Sequence, residues 1–329
     1  VRSAAMHDME FGASLKAIGR AGAGVNNIPV DRCAEEGIVV FNTPGANANG
    51  VKELAVAALM LASRDIVGGI QWANSLTADV AKSVEKGKSA FAGNEIMGKT
   101  LGVIGLGAIG GLVANAAAAL GMNVIGCDPY ITIDGAWDLS RAIQKAATYD
   151  EVFEKADYIS LHVPATPQTK NMICADSIAK MKPGVRIINL ARADLVNAAD
   201  LKAAIADGKI ASYVTDFPTE DTIGVKGIVT IPHLGASTEE SEDNCAVMAA
   251  VELADYLANG NVANSVNFPA ISMPRSGDAR ICVLHKNIPN VLTSITGFVS
   301  EHGINISNMS NGSKGDYAYT ILELDEAVP

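Results

Sequence analysis

The chain has 329 residues, which suits two or three domains, and its 49% hydrophobic and 19% charged residues argue against a disordered protein. The formal net charge of −11, with no basic run, argues against nucleic acid and membrane surfaces as partners. Five scattered cysteines show neither a CxxC pair nor Cys/His ligand spacing, which fits a cytoplasmic protein without a metal site.

The first predicted elements form a small group near the start of the chain. Apolar segments at 14–22 (SLKAIGRAG) and 37–45 (GIVVFNTPG) predict two strands, and the pattern at 29–37 (PVDRCAEEG) predicts a helix between them. Residues 51–64 (VKELAVAALMLASR) predict a long, mostly buried helix that crosses to a larger sheet. This group therefore reads as a smaller α/β unit next to a main one.

The main sheet is predicted from short runs rich in Ile and Val, each of which ends in a polar or Gly/Pro-containing stop. Amphipathic stretches such as 109–121, 150–156 and 200–207 lie between most of the runs. This alternation predicts a doubly wound α/β fold, in which helices cover both faces of a parallel sheet. The predicted strands are 100–105, 123–128, 157–164, 185–192, 211–216 and 227–233.

Residues 100–127 carry no charge, and a run of that length would satisfy a length test for a membrane span. Seven glycines and two asparagines interrupt it, however, and it divides into strand, glycine turn, helix and strand. We therefore predict a buried βαβ unit here.

The last part of the chain begins with a long predicted helix at 238–259, followed by a linker at 271–278. Beyond the linker, ARICVLH (279–285) predicts a strand and PNVLTSITGFVSEHG (289–303) a helix that ends at a glycine. INISNM (304–309) and YAYTILEL (317–324) predict two strands on either side of the turn NGSKGD. This βαββ module is still open at residue 329 and residue 1 is not Met, so we expect that the chain is clipped at both ends.

A glycine motif follows the first strand of the main sheet. Gly105, Gly107 and Gly110 have G-x-G-x-x-G spacing, the motif opens a helix, and the next strand ends in Asp128. The glycines allow a tight turn and a close approach of a pyrophosphate, whose charge suits the helix N-terminus. Asp128 would bind the adenosine ribose hydroxyls and repel a 2′-phosphate, so the sequence predicts NAD rather than NADP.

Four ionisable residues follow strands of the same sheet, where ligands of open parallel sheets bind. They are Arg192, Asp216, His233 and, four residues after Asp216, Glu220. Transfer of a hydride from a 2-hydroxy acid needs a base near neutral pH, the role predicted for His233. A carboxylate fixes the histidine tautomer, the role predicted for Glu220, and Arg192 would clamp the substrate carboxylate with forked donors.

These motifs resemble the D-2-hydroxyacid dehydrogenase family. The glycine motif, HVPATPQT (162–169), INLAR ending at Arg192, DFPTE ending at Glu220 and PHLGAST (232–238) follow in the family's order and spacing over roughly residues 1–270. The resemblance implies that Arg192, Glu220 and His233 are catalytic, and Ala193 departs from the family, where glycine is common. It also implies an NAD-binding Rossmann domain (49–235) and a smaller, flavodoxin-like substrate domain (1–48 and 236–270). The predicted cofactor contacts are Gly105, Gly107, Ala108, Ile109, Gly110, Asp128, His162, Val163, Pro164, Thr169, Ala191, Arg192, Asp216, His233 and Gly235.

Three segments of the small unit, VRSAAM, GRAGAGVNNIPVD and NTPGANANGVKE, resemble the phosphoglycerate branch of this family. The resemblance implies that Arg2 and Arg20 hold a substrate phosphate beside Asn47, and that the chain oxidises 3-phosphoglycerate in serine biosynthesis. The predicted substrate contacts are Arg2, Ser3, Arg20, Gly24, Asn47, Arg192 and His233. Two alternatives stay open: a reductase of glyoxylate, hydroxypyruvate or 2-oxoglutarate, and a non-catalytic NAD(H)-sensing protein of the same fold.

Residues 280–306 resemble the first half of an ACT domain, which implies a partial regulatory domain at 279–329. In such domains the loop after the first strand can bind serine, and the matching residues are His285 and Asn287, with Asn305 as a candidate across an interface. The resemblance therefore predicts serine as an effector and a homodimer or homotetramer.

Overall fold

The computed structural model describes residues 1–326, which form two compact units. One comprises Ala48–Ser241 and is called the central unit below. The other, the terminal unit, comprises Val1–Asn47 and the chain from Glu242 onward. The division of the chain into substrate, NAD-binding and ACT domains stays a prediction.

Strands and helices alternate along the chain, and their bounds are as follows. The strands are β1 Ala17–Arg20, β2 Val39–Asn42, β3 Thr100–Ile104, β4 Asn123–Cys127, β5 Gln144–Lys145, β6 Tyr158–Leu161, β7 Val185–Asn189, β8 Ile210–Thr215, β9 Ile228–Thr230, β10 Ala279–Lys286, β11 Ile306–Lys314 and β12 Tyr317–Leu324. The α-helices are α1 Val30–Glu35, α2 Ala48–Ser63, α3 Ile66–Asn74, α4 Val80–Gly87, α5 Ala108–Ala119, α6 Ile133–Trp137, α7 Tyr149–Lys155, α8 Ala175–Lys180, α9 Ala198–Ala206, α10 Glu239–Asn259 and α11 Val291–Glu301. Short 3₁₀ turns occupy Lys88–Phe91 and Ala193–Leu195.

The central unit contains a seven-stranded sheet in the order β5-β4-β3-β6-β7-β8-β9, and every neighbouring pair is parallel. The chain moves outward from β3 to β5 and then returns to start the other half at β6. This is the doubly wound order, whose ligands bind at the carboxyl ends of the two strands where the direction reverses. The predicted fold class is confirmed, and β3 and β6 mark the switch point.

The core of the central unit lies on both faces of this sheet. Ile187 packs into one hydrophobic cluster and its neighbour Ile188 into the other, because successive side chains of a strand point to opposite faces. Strands that are buried on both faces are apolar throughout, which explains the Ile/Val runs in the sequence. The uncharged stretch 100–127 forms β3, α5 and β4, and no helix among residues 1–326 is long and apolar enough to span a membrane.

The terminal unit combines the parallel pair β1–β2 with a three-stranded antiparallel sheet in the order β10-β12-β11. Val39 and Phe41 of β2 share one hydrophobic cluster with Tyr319 and Ile321 of β12. The two sheets of this unit therefore share one core.

A buried carboxylate holds the predicted linker at 271–278 in place through hydrogen bonds. Glu323 is fully buried in β12 and accepts hydrogen bonds from the backbone N–H groups of Ser276 (2.9 Å) and Gly277 (2.7 Å). It also forms an ion pair with buried Arg280, whose guanidinium donates to the carbonyl oxygen of Asn259 (2.5 Å). The segment is thus fixed to the end of α10 and to the antiparallel sheet.

The predicted turn at 311–316 is wrong in extent. Strand β11 continues to Lys314, which pairs with Tyr317, so that only Gly315 and Asp316 form the turn. The ladder to β12 keeps the polar residues 311–314 extended, because each pairs with a residue of the neighbouring strand.

Candidate active site

The glycine motif forms a tight loop between β3 and α5. Gly105 has a φ of +88°, and a Cβ atom on Gly110 would lie 1.9 Å from the Gly105 carbonyl oxygen. Only glycine fits either position without a shift of the backbone. Gly107 caps α5, whose first turn contains Ala108, and a Cβ on Gly107 would meet nothing within 4 Å. Gly107 and Ala108 are exposed. The N–H groups of a helix's first turn, which here includes Ile109, have no partner inside the helix, so the loop fits a dinucleotide pyrophosphate.

Asp128 ties the glycine loop to the end of β4. One carboxylate oxygen accepts from the Leu106 N–H at 2.9 Å, and the other accepts from the Tyr130 N–H at 2.8 Å. The side chain stays partly exposed. Each oxygen keeps a second lone pair, so the predicted contact with ribose hydroxyls fits the geometry.

The predicted cofactor contacts at 162–169 form one loop after β6, opposite the glycine loop. A Cβ on Gly105 would lie 2.6 Å from the His162 carbonyl oxygen, so the two loops touch at the switch point. The His162 ring contacts the Ser160 hydroxyl through Nε2 at 2.8 Å, and burial lowers the pKa of His162 to about 4. The ring is therefore neutral at physiological pH. Beyond Val163, the Thr169 hydroxyl donates to the Pro164 carbonyl oxygen at 2.6 Å and closes the loop.

Arg192 follows β7 in a loop that the buried side chain of Asn189 holds in place. The Asn189 amide oxygen accepts from the N–H groups of Ala191 (3.2 Å) and Arg192 (3.3 Å), and its NH₂ group donates to the Arg192 carbonyl oxygen (2.8 Å). The Arg192 side chain is exposed, and its guanidinium donates to the Ala191 carbonyl oxygen at 2.6 Å. Sequence reasoning missed Asn189, although a polar residue at the end of the apolar run VRIIN is a signal for it.

A second group gathers around Phe217, which follows β8. The Phe217 ring centroid is 4.5 Å from that of His233, and the Arg192 guanidinium carbon lies 5.6 Å from the same ring. Sequence reasoning missed Phe217, because nothing in its pattern distinguishes it from a packing residue. The side chains of Arg192 and His233, which come from two different strand ends, thus both lie close to the Phe217 ring.

Asp216 lies buried beside this group. Burial raises its pKa, opposed by the nearby charges of His233 and Arg192 and by the N–H group of Gly235. One of its carboxylate oxygens has no hydrogen-bond partner among the described residues. Asp216, Arg192 and His233 therefore lie together beyond the strand ends, with Gly235 beside Asp216, and their roles stay predictions.

Glu220 is exposed in the loop after β8. Within residues 1–326, no hydrogen bond and no ion pair within 4.0 Å joins it to His233, which is itself exposed. The structure does not bring the predicted acid–base pair into contact, and the role of Glu220 stays a prediction.

Residues 56–235 match the family described as D-isomer specific 2-hydroxyacid dehydrogenase, NAD binding domain. The chain belongs to this family. It is 34% identical over 322 residues to D-3-phosphoglycerate dehydrogenase of Escherichia coli K12, covering 94% of this chain and 75% of that protein. It is 37% identical over 273 residues to D-3-phosphoglycerate dehydrogenase of Synechocystis, covering 80% of this chain and 47% of that protein, so it spans about half the length of that relative.

Among solved structures, the NAD⁺-bound 3-phosphoglycerate dehydrogenase of Entamoeba histolytica is similar, with a TM-score of 0.60 and 31% identity over 78% of this chain and 76% of that one. The predicted family, Rossmann-type fold and cofactor NAD are confirmed by these matches. As a member of the D-isomer specific 2-hydroxyacid dehydrogenases, the chain is related to enzymes that act on small molecules.

The predicted phosphate residues of this family member lie in the terminal unit and are described within it. Backbone hydrogen bonds of 2.8 Å join Val1 to Gly19 and to Ala21, so the start of the chain runs beside β1. Burial lowers the pKa of Arg20 at the end of β1, and the positive charge of Arg2 lowers it further. The positive charges of Arg2 and Arg20 thus repel each other, and their role as a two-arginine anion clamp stays a prediction.

The two arginines differ in their own partners, and the other predicted substrate residues of this unit differ in burial. Arg2 forms a 3.0 Å ion pair with Glu242, and the Arg20 Nε atom is buried without a hydrogen-bond partner in the described chain. Ser3 is exposed, and Gly24 and Asn47 are half-buried.

The predicted effector residues lie at opposite ends of the antiparallel sheet. His285 pairs with Ala318 in the ladder, whereas Asn305 directly precedes the residue that pairs with Leu324. Six residues of a strand span about 20 Å, so one chain cannot bring His285 and Asn305 to one small ligand. His285 instead contacts the Thr320 hydroxyl at 2.9 Å, and Asn287 donates to the Gly315 carbonyl oxygen at 3.1 Å. Within the described chain, no group of three or more His, Cys, Asp or Glu residues is arranged to hold a metal ion.

Proposed function

We propose that the protein oxidises 3-phospho-D-glycerate to 3-phosphohydroxypyruvate with NAD⁺, the first step of serine biosynthesis. The observation that carries the proposal is the gathering of Arg192, Asp216 and His233 at strand ends beside a loop that fits NAD. The names of the relatives at 34% and 37% identity support the choice of substrate.

The chemistry divides among a few side chains. Bound NAD⁺ supplies the hydride acceptor. His233 takes the proton of the substrate hydroxyl, and Phe217 packs against its ring and limits its rotation. Arg192 binds the substrate carboxylate through its forked donors, which also favours the charge that develops on the neighbouring oxygen. We assign Glu220 to the protonated His233, a pairing that requires the Glu220 carboxylate to approach the ring.

Arg2 and Arg20 would bind the phosphate. Their mutual repulsion falls when a dianion lies between them, so substrate binding relieves an unfavourable contact. The ion pair between Arg2 and Glu242 is the observation that favours the alternative, a non-phosphorylated hydroxy acid, because Arg2 is already partly neutralised. Both side chains are largely exposed, and such pairs contribute about 0–1 kcal/mol, so a phosphate competes with Glu242 easily.

The effector and the assembly belong to the same proposal. Because His285 and Asn305 lie at opposite ends of one sheet, serine would bind between two copies of the chain. This requires a homodimer or homotetramer. We also assign the protein to the cytoplasm, where its five free cysteines stay reduced.

The proposal is tested by NAD⁺ reduction with 3-phosphoglycerate, D-glycerate, D-lactate and D-2-hydroxyglutarate, each with and without serine. We expect 3-phosphoglycerate to give the highest kcat/KM. Arg20→Ala should lower kcat/KM for 3-phosphoglycerate by about 100-fold, the value of one charged hydrogen bond of roughly 2.7 kcal/mol, and leave D-glycerate nearly unchanged. Arg32→Ala, which removes another arginine of the terminal unit, is the matched control. A better non-phosphorylated substrate, together with an Arg20→Ala variant that keeps its activity on 3-phosphoglycerate, would exclude the phosphate substrate.

A further inference from the structure

Three polar side chains lie buried in the sheet beneath the loops of Arg192 and Phe217. Asn189 ends β7 and Thr215 ends β8, and the two residues pair in the ladder between these parallel strands. Tyr213 lies two residues before Thr215 on the same face of β8. Asn189 and Thr215 are fully buried and Tyr213 is 2% exposed, among side chains that are otherwise mainly apolar. Burial of such polar groups costs free energy of folding unless they are fully hydrogen-bonded.

Asn189 uses the whole hydrogen-bonding capacity of its amide. In addition to its three bonds with the backbone of Ala191 and Arg192, its NH₂ group donates to the Tyr213 hydroxyl at 3.0 Å. The backbone N–H and carbonyl groups of Arg192 are therefore both held by one side chain. A residue that merely filled the core would not need two donors and two acceptors in these directions.

The chain of bonds continues into the neighbouring strand. The Tyr213 phenol accepts a hydrogen bond from the Asn189 NH₂ group and lies close to the Thr215 hydroxyl, and burial raises its pKa, so it stays protonated at physiological pH. The Thr215 hydroxyl accepts from the Phe217 N–H at 3.1 Å. Phe217 in turn contacts the His233 ring and lies within 5.6 Å of the Arg192 guanidinium carbon. One buried set of hydrogen bonds and side-chain contacts thus reaches from the backbone of Arg192 to the ring that packs against His233.

We propose that Asn189, Tyr213 and Thr215 are positioning residues that fix Arg192 and His233 relative to each other across the boundary between β7 and β8. All three side chains are buried, and we assign none of them a contact with the substrate. They act through the Arg192 backbone at one end and through Phe217 at the other. The inference rests on the catalytic roles proposed for Arg192 and His233, and it adds the device that holds them.

The test compares two buried tyrosines of the same sheet in the full-length chain. Tyr213→Phe removes the phenol oxygen that accepts from Asn189 and lies close to Thr215. Tyr158→Phe is the matched control, because Tyr158 is fully buried at the start of β6 and, among residues 1–326, its hydroxyl bonds only Ser63, at 2.8 Å. For both variants kcat and KM are measured with the best substrate of the panel, together with the Kd for NADH by fluorescence and the Tm.

We expect Tyr213→Phe to lower kcat/KM about tenfold, equivalent to about 1.4 kcal/mol, with a rise in KM for the hydroxy acid. Its Kd for NADH should stay within twofold of wild type, because the glycine loop and Asp128 are untouched. Both variants should lower the Tm by a few degrees, and Tyr158→Phe should leave kcat/KM unchanged. Equal kcat/KM values for the two variants would overturn the inference, because they would show that the buried bonds serve stability alone.

Two further outcomes have different consequences for the inference and for the proposed function. If Tyr213→Phe does not fold, Thr215→Val cuts the same path from the Phe217 end without a change of shape, and the same tenfold loss in kcat/KM is expected. A Thr215→Val variant with wild-type kcat/KM would then overturn the inference. A wild-type chain that binds NADH but oxidises no hydroxy acid would refute the proposed function, and the inference with it.

Discussion

Arg280→Met is expected to loosen the antiparallel sheet of the terminal unit far more than a surface substitution would. The Arg280 side chain is 3% exposed and that of its partner Glu323 is fully buried, so the substitution leaves a carboxylate in the core without its counter-charge. Loss of one partner of a buried ion pair costs about 3–5 kcal/mol. The guanidinium also donates to the Met273 carbonyl oxygen at 2.8 Å, a bond that methionine cannot replace.

The loss is measured by hydrogen–deuterium exchange of peptides from β10 and β12. A cost of about 3–5 kcal/mol corresponds to exchange that is roughly 100-fold to 4,000-fold faster, because each 1.4 kcal/mol is a factor of ten. Arg32→Met is the control. Arg32 is half-exposed and its ion pair with Glu36 spans 3.6 Å, so the exchange should change by less than about fivefold. Peptides of the central unit should exchange as in wild type.

The double variant Arg280→Met/Glu323→Gln decides the cause. The glutamine carries no charge and keeps an oxygen for the N–H groups of Ser276 and Gly277, so it should be more stable than Arg280→Met alone. The unpaired Glu323 carboxylate is not the cause if the single variant exchanges within threefold of wild type. The same holds if the second substitution makes exchange still faster.

Two further predictions concern the cofactor end of the central unit. In the folded chain burial lowers the pKa of His162 from 6.5 to about 4, so between these pH values the unfolded chain binds a proton that the folded chain does not. The free energy of unfolding should therefore fall by up to about 3 kcal/mol as the pH drops from 6.5 towards 4. Urea unfolding from pH 7 to 4 should show this loss, and His162→Gln should flatten it; an unchanged slope would contradict the assignment. Gly110→Ala should raise the Kd for NADH at least 100-fold, because its Cβ meets the Gly105 carbonyl oxygen at 1.9 Å, whereas Gly111→Ala meets nothing closer than 3.5 Å and should bind normally. Equal binding by both variants would show that the loop does not need its third glycine.

The main sheet was predictable because its strands are buried on both faces. Such strands must be apolar throughout, and each Ile/Val run marks one of them in the sequence. Strand β5 escaped this reasoning because it consists of two exposed polar residues, Gln144 and Lys145. Helices α3 and α4 escaped it because none of their residues is buried, so no apolar stripe distinguishes them from a loop.

The candidate site was predictable to the extent that strand ends carry it. Arg192, Asp216 and His233 each end a predicted strand, and a parallel sheet brings such ends together. Asn189 and Tyr213 could not be assigned in the same way, because their contact depends on the register between β7 and β8. The relation of Glu220 to His233 depends on a loop conformation, which no strand pattern determines.

His233→Asn tests the central claim most directly. We expect this variant to bind NADH with the Kd of wild type but to reduce NAD⁺ with 3-phosphoglycerate at least 10²-fold more slowly, because the proton of the substrate hydroxyl loses its acceptor. Turnover within a few fold of wild type at every pH would show that another group takes the proton, and the role assigned to His233 would be wrong.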